Sequence, residues 1–154
     1  INSNDEVDII ALFSEIKNEF IYLMAKKNLF LLVEIPETLI IYVNRTAMKL
    51  TLHNLFSNVT QYSKEDTEIY ISIYVEHKIL YIVFENEAKK KDIERLNMYG
   101  NSYELIGIQE TGYSSGNGLY LLKEVSELYD GVFTLTTGGD KVRATITLPI
   151  PKES

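Results

Sequence analysis

His53-Asn54-Leu55-Phe56-Ser57-Asn58-Val59-Thr60-Gln61-Tyr62-Ser63 is the stretch of this chain that decides its fold. Asn54, Asn58 and Gln61 fall at i, i+4 and i+7, which is one face of a helix. Beside them Met48, Leu52, Leu55, Val59 and Tyr62 make an apolar stripe at the same period. Asn44 is a good N-cap residue, so the spacing predicts a helix over 45–62. Three amides in a row beside a core seam are unusual, because a helix loses slightly by carrying Asn and needs no amide there. A magnesium ion takes hard oxygen ligands, only some of them from protein, and an Asn oxygen is such a ligand. A solvated polar face is the plainer account of the same three residues.

Outward from that helix the pattern is regular. Upstream, Ile9, Leu12, Ile16, Phe20 and Leu23 recur at three- and four-residue steps and predict an amphipathic helix over 7–25. Short β-rich runs follow at 29–35 and 39–43, hinged at Pro36. Downstream of the polar turn Ser63-Lys64-Glu65-Asp66, residues 68–76 alternate, with Ile69, Ile71, Ile73 and Val75 on one face and Tyr70, Ser72 and Tyr74 on the other. A tight turn at His77-Lys78 returns the chain through 80–84 as a hairpin. A short charged helix is expected over 89–98, a further helix over 118–129, and two strands at 132–137 and 142–148 around Gly138-Gly139-Asp140. The order suggests one antiparallel or mixed sheet with helices packed on one face.

Between the charged helix and the next lies a glycine-rich stretch. All 8 glycines of the chain follow residue 99, and Gly100, Gly107, Gly112, Gly116 and Gly118 crowd into it. It ends in Gly112-Tyr113-Ser114-Ser115-Gly116-Asn117-Gly118-Leu119, directly ahead of the predicted helix. Glycine lets backbone N–H groups approach a ligand, and a helix N-terminus offers unpaired donors, so phosphate binding suits such a loop. The bulk properties narrow the classes further. At 154 residues the chain is expected to be one domain, 1–154, and because it opens at Ile1 it reads as a fragment of a longer protein. Its net charge of −7 argues against a nucleic-acid surface. There is no cysteine, so disulfides and thiolate metal sites are excluded. No apolar run approaches the roughly 18 residues of a membrane span, so no direct membrane contact is expected.

With the boxes in view, the chain resembles the catalytic domain of sensor histidine kinases. The run from His53 to Ser63 is similar to their asparagine box, commonly N-L-L-x-N-A-x-K-Y-S. Ser115 to Lys123 resembles their second glycine box, G-x-G-L-x-L, and residues 131–149 resemble the closing hairpin that usually ends in L-P. The resemblance covers nearly the whole chain in the right order. It implies a Bergerat-type α/β (α+β) two-layer sandwich, a mixed sheet with helices on one face and an ATP lid. It implies ATP and Mg²⁺ as cofactors, with Asn58 holding the metal against the phosphates and Asn54 beside it as the second catalytic amide. Gln61, Tyr62, Gly112, Gly116, Asn117, Gly118 and Leu119 match nucleotide-binding positions, Tyr62 near the adenine and the glycines under the phosphates. Relatives that hydrolyse ATP carry Glu where this chain has Asn54, and an amide cannot take a proton from water. Phosphoryl transfer is therefore favoured over hydrolysis.

Two departures from the family pattern stand out. The first glycine box, usually D-x-G-x-G, is replaced by Phe84-Glu85-Asn86-Glu87-Ala88-Lys89-Lys90, which has no glycine. Glu85 and Asn86 are the candidates for the group that meets the adenine amino function. Asn86 is preferred, because it follows Ile82 and Phe84 in the strand's alternation. The second departure is charge: residues 97–117 contain Glu104 and Glu110 but no Lys or Arg, and Gln61 stands where the box usually has Lys. Arg95 and Lys123 are the nearest basic residues. His53 is expected at a helix surface and His77 in a turn, and neither resembles a phospho-accepting histidine. Ser114 and Ser115 have no base spaced near them and read as loop hydroxyls.

The function so implied is ATP binding by a two-component kinase domain. It would pass the γ-phosphate to a histidine on a separate dimerisation domain of the same cytoplasmic-facing protein, and so to a response regulator. A degenerate module acting by protein–protein contact, or a serine kinase of the anti-sigma type, are the alternatives.

Overall fold

The computed structural model describes residues 4–99, 126–127 and 130–150. The elements in chain order are β1 (Asp5–Asp8), α1 (Ile9–Lys26), β2 (Phe30–Glu34), β3 (Ile40–Val43), α2 (Arg45–Tyr62), β4 (Glu68–Glu76), β5 (Ile79–Glu87), α3 (Lys90–Tyr99), β6 (Val132–Gly138) and β7 (Lys141–Pro149). The 5-stranded sheet runs β2-β4-β5-β7-β6. β2 and β4 are parallel and the other pairs antiparallel. α1 and α2 pack against each other and bury one face of that sheet, so the two-layer mixed architecture is as expected.

α1 begins later than the periodicity predicts. Asp8 is its cap: Oδ1 accepts from the backbone N–H groups of Ile10 (3.1 Å) and Ala11 (3.3 Å), and also from Leu39 (3.3 Å). Asp5–Asp8 is extended and pairs antiparallel with β3, so β1 is a strand that no local pattern announced. At the other end Asn28 takes φ 55° and Leu29 N–H reaches back to the Met24 carbonyl at 3.0 Å. This is a Schellman closure with Asn in the left-handed position. It tucks Leu29 beneath the last turn, so Met24 completes the core stripe and Leu23 stays exposed.

α2 spans the predicted residues, Asn44 Oδ1 accepting from Ala47 N–H at 2.8 Å. Its fully buried Phe56 is the hub of the core. Ring centroids lie 5.3 Å away at Phe13, 5.8 Å at Phe20 and 5.1 Å at Phe84, the last edge-on. The chain enters β4 through Asp66 in the left-handed region, and His77 and Lys78 (φ 53° and 63°) make the two-residue hairpin turn into β5. At the far edge Gly131 precedes β6. A Cβ there would lie 2.4 Å from the backbone oxygen of Thr147, so β6 can approach β7 only with glycine at that point.

β5 is longer than expected. Without glycine in the segment after Phe84, the chain stays in the ladder: Glu85, Asn86 and Glu87 pair with Arg143, Val142 and Lys141 of β7. Ala88 then bridges to Ser63 at the end of α2, and Lys64 N–H donates to the Glu87 carbonyl at 2.9 Å. These bonds hold the end of β5 directly beside the last turn of α2.

Candidate functional site

A cleft opens where α2, β5, α3 and β7 meet. α2 contributes Leu55, Asn58, Val59 and Tyr62. The end of β5 contributes Phe84, Asn86 and Ala88, α3 contributes Asp92, Arg95 and Leu96, and β6 and β7 add Leu135, Val142 and Ala144. The lining is therefore mostly apolar, with a few polar groups set into it. α3 is held against the sheet by Ile93, buried with Ala88 and Val142.

Asn58 lies on the wall formed by α2, and its two amide atoms, Oδ1 and Nδ2, are both buried without a hydrogen-bond partner among the described residues. Buried polar atoms are almost always paired, and an orphaned pair in a native fold points to a missing ligand or water. One turn earlier, Asn54 Nδ2 is buried and unpaired as well, although Asn54 is not part of the cleft wall. An amide oxygen of this kind is a hard ligand, so Asn58 fits a Mg²⁺ ion that is otherwise held by phosphate and water.

The two candidates after Phe84 part company. Asn86 shares the inward face of β5 with Ile82 and Phe84, is 6% exposed, and lines the cleft. Its Nδ2 donates only a long 3.4 Å bond to the Glu87 carbonyl. Glu85 points to the opposite face of the sheet, where its Oε2 accepts from Arg143 Nε at 2.9 Å. Strand alternation thus removes Glu85 from the site. Gln61 is exposed and also off the cleft wall, because i+7 carries it past the edge of the stripe; its carbonyl, with that of Thr60, accepts from Lys27 Nζ. Tyr62 is on the lining. Gly112, Gly116, Asn117, Gly118, Leu119 and Lys123 lie outside the described residues, as does most of the helix expected over 118–129.

Arg95, pointed out by its basic charge, is brought to the cleft wall, where Nη1 faces Asp92 Oδ1 at 3.9 Å. Asp92 was not singled out in the sequence, where it lies within the charged helix expected over 89–98. Its i, i+3 spacing to Arg95 was the signal that both share one face of α3. The histidines are where expected: His53 is exposed against the Phe20 ring and 4.0 Å from Glu19, and His77 is exposed in the hairpin turn. Among the described residues no helix is long and apolar enough to cross a membrane.

The family model described as "Histidine kinase-, DNA gyrase B-, and HSP90-like ATPase" matches residues 43–152. The chain belongs to that family, with a first glycine box that has lost its glycines. No curated protein matches it in sequence. Among solved structures it resembles the catalytic domain of histidine kinase ThkA, at 18% identity and TM-score 0.76 over 98% of this chain and 99% of that one. It resembles histidine kinase AdeS of Acinetobacter baumannii at 16% identity and TM-score 0.75, over 97% of this chain and 68% of that one. The mycobacterial sensor histidine kinase MprB is similar at 11% identity and TM-score 0.74, over 97% and 99%. At these identities the likeness is one of fold.

Proposed function

We propose that this chain is the ATP-binding catalytic domain of a two-component sensor histidine kinase. In this reading residues 1–154 form one domain of a longer, cytoplasm-facing protein. The domain delivers the γ-phosphate to a histidine on that protein's own dimerisation domain, and a response regulator receives it next. The observation that carries the reading is Asn58, whose two amide atoms are buried, without a partner among the described residues, and on the wall of a mostly apolar cleft.

The apolar walls at Leu55, Val59 and Ala144 suit the faces of a purine, and Asn86 meets its polar edge. Asn58 Oδ1 would hold Mg²⁺, which when bound neutralises phosphate charge. Arg95 adds a cation at the cleft wall. Phosphoryl transfer asks a protein for positioning and charge stabilisation more than for covalent chemistry, and these residues supply both. Asn54 supports transfer over hydrolysis, since an amide there offers no base to a water molecule.

Calorimetric titration with ATP and ADP, with and without Mg²⁺, tests this reading. The expected result is saturable, magnesium-dependent binding to the wild-type chain that Asn58→Ala loses. An absence of binding at millimolar nucleotide would refute it. The missing glycines of the first box would then favour a degenerate module working through protein contacts.

A further inference from the structure

The group that meets the base in this cleft is a carboxamide, and the chemistry of a carboxamide differs from that of a carboxylate. A carboxylate only accepts hydrogen bonds, so it pairs with the 6-amino group of adenine and repels the 6-oxo group of guanine or hypoxanthine. A carboxamide presents one acceptor and one donor from the same position. Resting on the nucleotide reading above, we propose that the cleft takes 6-oxopurine nucleoside triphosphates as well as ATP, and that Asn86 is the residue that removes the discrimination.

Three observations support this. Asn86 is fixed at the backbone, because it stays in the β5–β7 ladder opposite Val142, so its side chain is delivered to the cleft from a rigid strand. The side chain itself is weakly held, its Nδ2 reaching only the neighbouring Glu87 carbonyl at 3.4 Å. The terminal torsion of Asn is broad and roughly two-fold, so the amide turns over to match whichever edge it meets. Lastly, Asp92 and Arg95, the charged groups among the described lining residues, face one another at 3.9 Å. Among the described lining residues other than Asn58, Tyr62, Asp92 and Arg95, Asn86 is the one polar group, and the apolar side chains of the wall read only the faces of the ring.

The consequence is measurable as a ratio. Titrating the chain with ATP, ITP and GTP in the presence of Mg²⁺ isolates position 6 with ITP, while GTP adds the 2-amino group. Both 6-oxo nucleotides are expected to bind within about tenfold of ATP, the factor that one lost buried hydrogen bond would otherwise produce. Asn86→Asp is expected to raise the Kd of ITP and GTP relative to that of ATP by about tenfold or more. Either 6-oxo nucleotide binding more than about tenfold weaker than ATP to the wild-type chain overturns the proposal while leaving the ATP reading intact. An unchanged ITP-to-ATP ratio in a folded Asn86→Asp variant also overturns it. If no nucleotide binds at all, the ATP reading fails and this one with it. The wild-type ratio decides the matter even where the variant does not fold.

Discussion

Replacing Asn58 by leucine should stabilise the ligand-free protein while disabling its site. Both polar atoms of the Asn58 amide are buried with no partner among the described residues, and an unsatisfied buried polar group costs about 1–3 kcal/mol. The amide borders a cleft, so the lower part of that range applies. Leucine has nearly the same length, joins Leu55 and Val59 on the same wall, and is favoured over Asn within a helix by a few tenths of a kcal/mol. The net expectation is a gain of about 1–2 kcal/mol, which for a chain of this size raises Tm by about 2–8 °C. Thermal unfolding in EDTA without nucleotide measures it. Asn44→Ala on the same helix is the contrast: it removes a 2.8 Å cap bond and should cost about 1 kcal/mol. Adding Mg·ATP at ten times its Kd should then stabilise the wild type by about 1.4 kcal/mol and leave Asn58→Leu unmoved. A fall in the Tm of Asn58→Leu without ligand would refute the reasoning, since it would mean that the amide serves the fold rather than a ligand.

Other perturbations test the frame around the site. Phe56→Ala removes the ring shared by Phe13, Phe20 and Phe84 and should cost about 3–5 kcal/mol in urea unfolding, enough to threaten the native state. A cost under 1 kcal/mol would mean that the aromatic hub does not exist as described. Gly131→Ala places a Cβ against the Thr147 carbonyl and Leu148, and the overpacking should lower stability by about 1–3 kcal/mol; an unchanged melting curve would count against the close approach of β6 and β7. Lys27, whose Nζ donates to the Thr60 and Gln61 carbonyls, has its pKa lowered below 10.5, first by burial and then by the charge of Lys89. Between its folded pKa and 10.5 the unfolded chain binds more protons, so this group alone makes stability rise with pH in that window. Subtracting the Lys27→Met profile from the wild-type profile should show that rise, and a difference that falls with pH would contradict the assignment.

Much of the frame was legible from local pattern. The extent of α2 follows from a capping Asn and a continuous apolar stripe, and β4 from strict alternation ended by a turn, all signals carried by neighbours in sequence. β1 was not legible, since Asp5–Asp8 has no period of its own and is extended only because β3 lies alongside. The same holds for the last turn of α1, where Met24 replaces Leu23 because Leu29 folds back beneath it.

For the candidate site, the sequence by itself put Asn54 and Asn58 on one helical face, and it favoured Asn86 over Glu85 by counting along a strand. Only the tertiary structure decided that β5 runs on past Phe84, that Glu85 is held away by Arg143, and that Asp92 and Arg95 close the same cleft. The physical reason is distance along the chain. A stripe or an alternation is set by residues a few positions apart, whereas a cleft is set by which elements pair. Here β7 arrives from more than fifty residues away to keep β5 straight and to turn Asn86 inward.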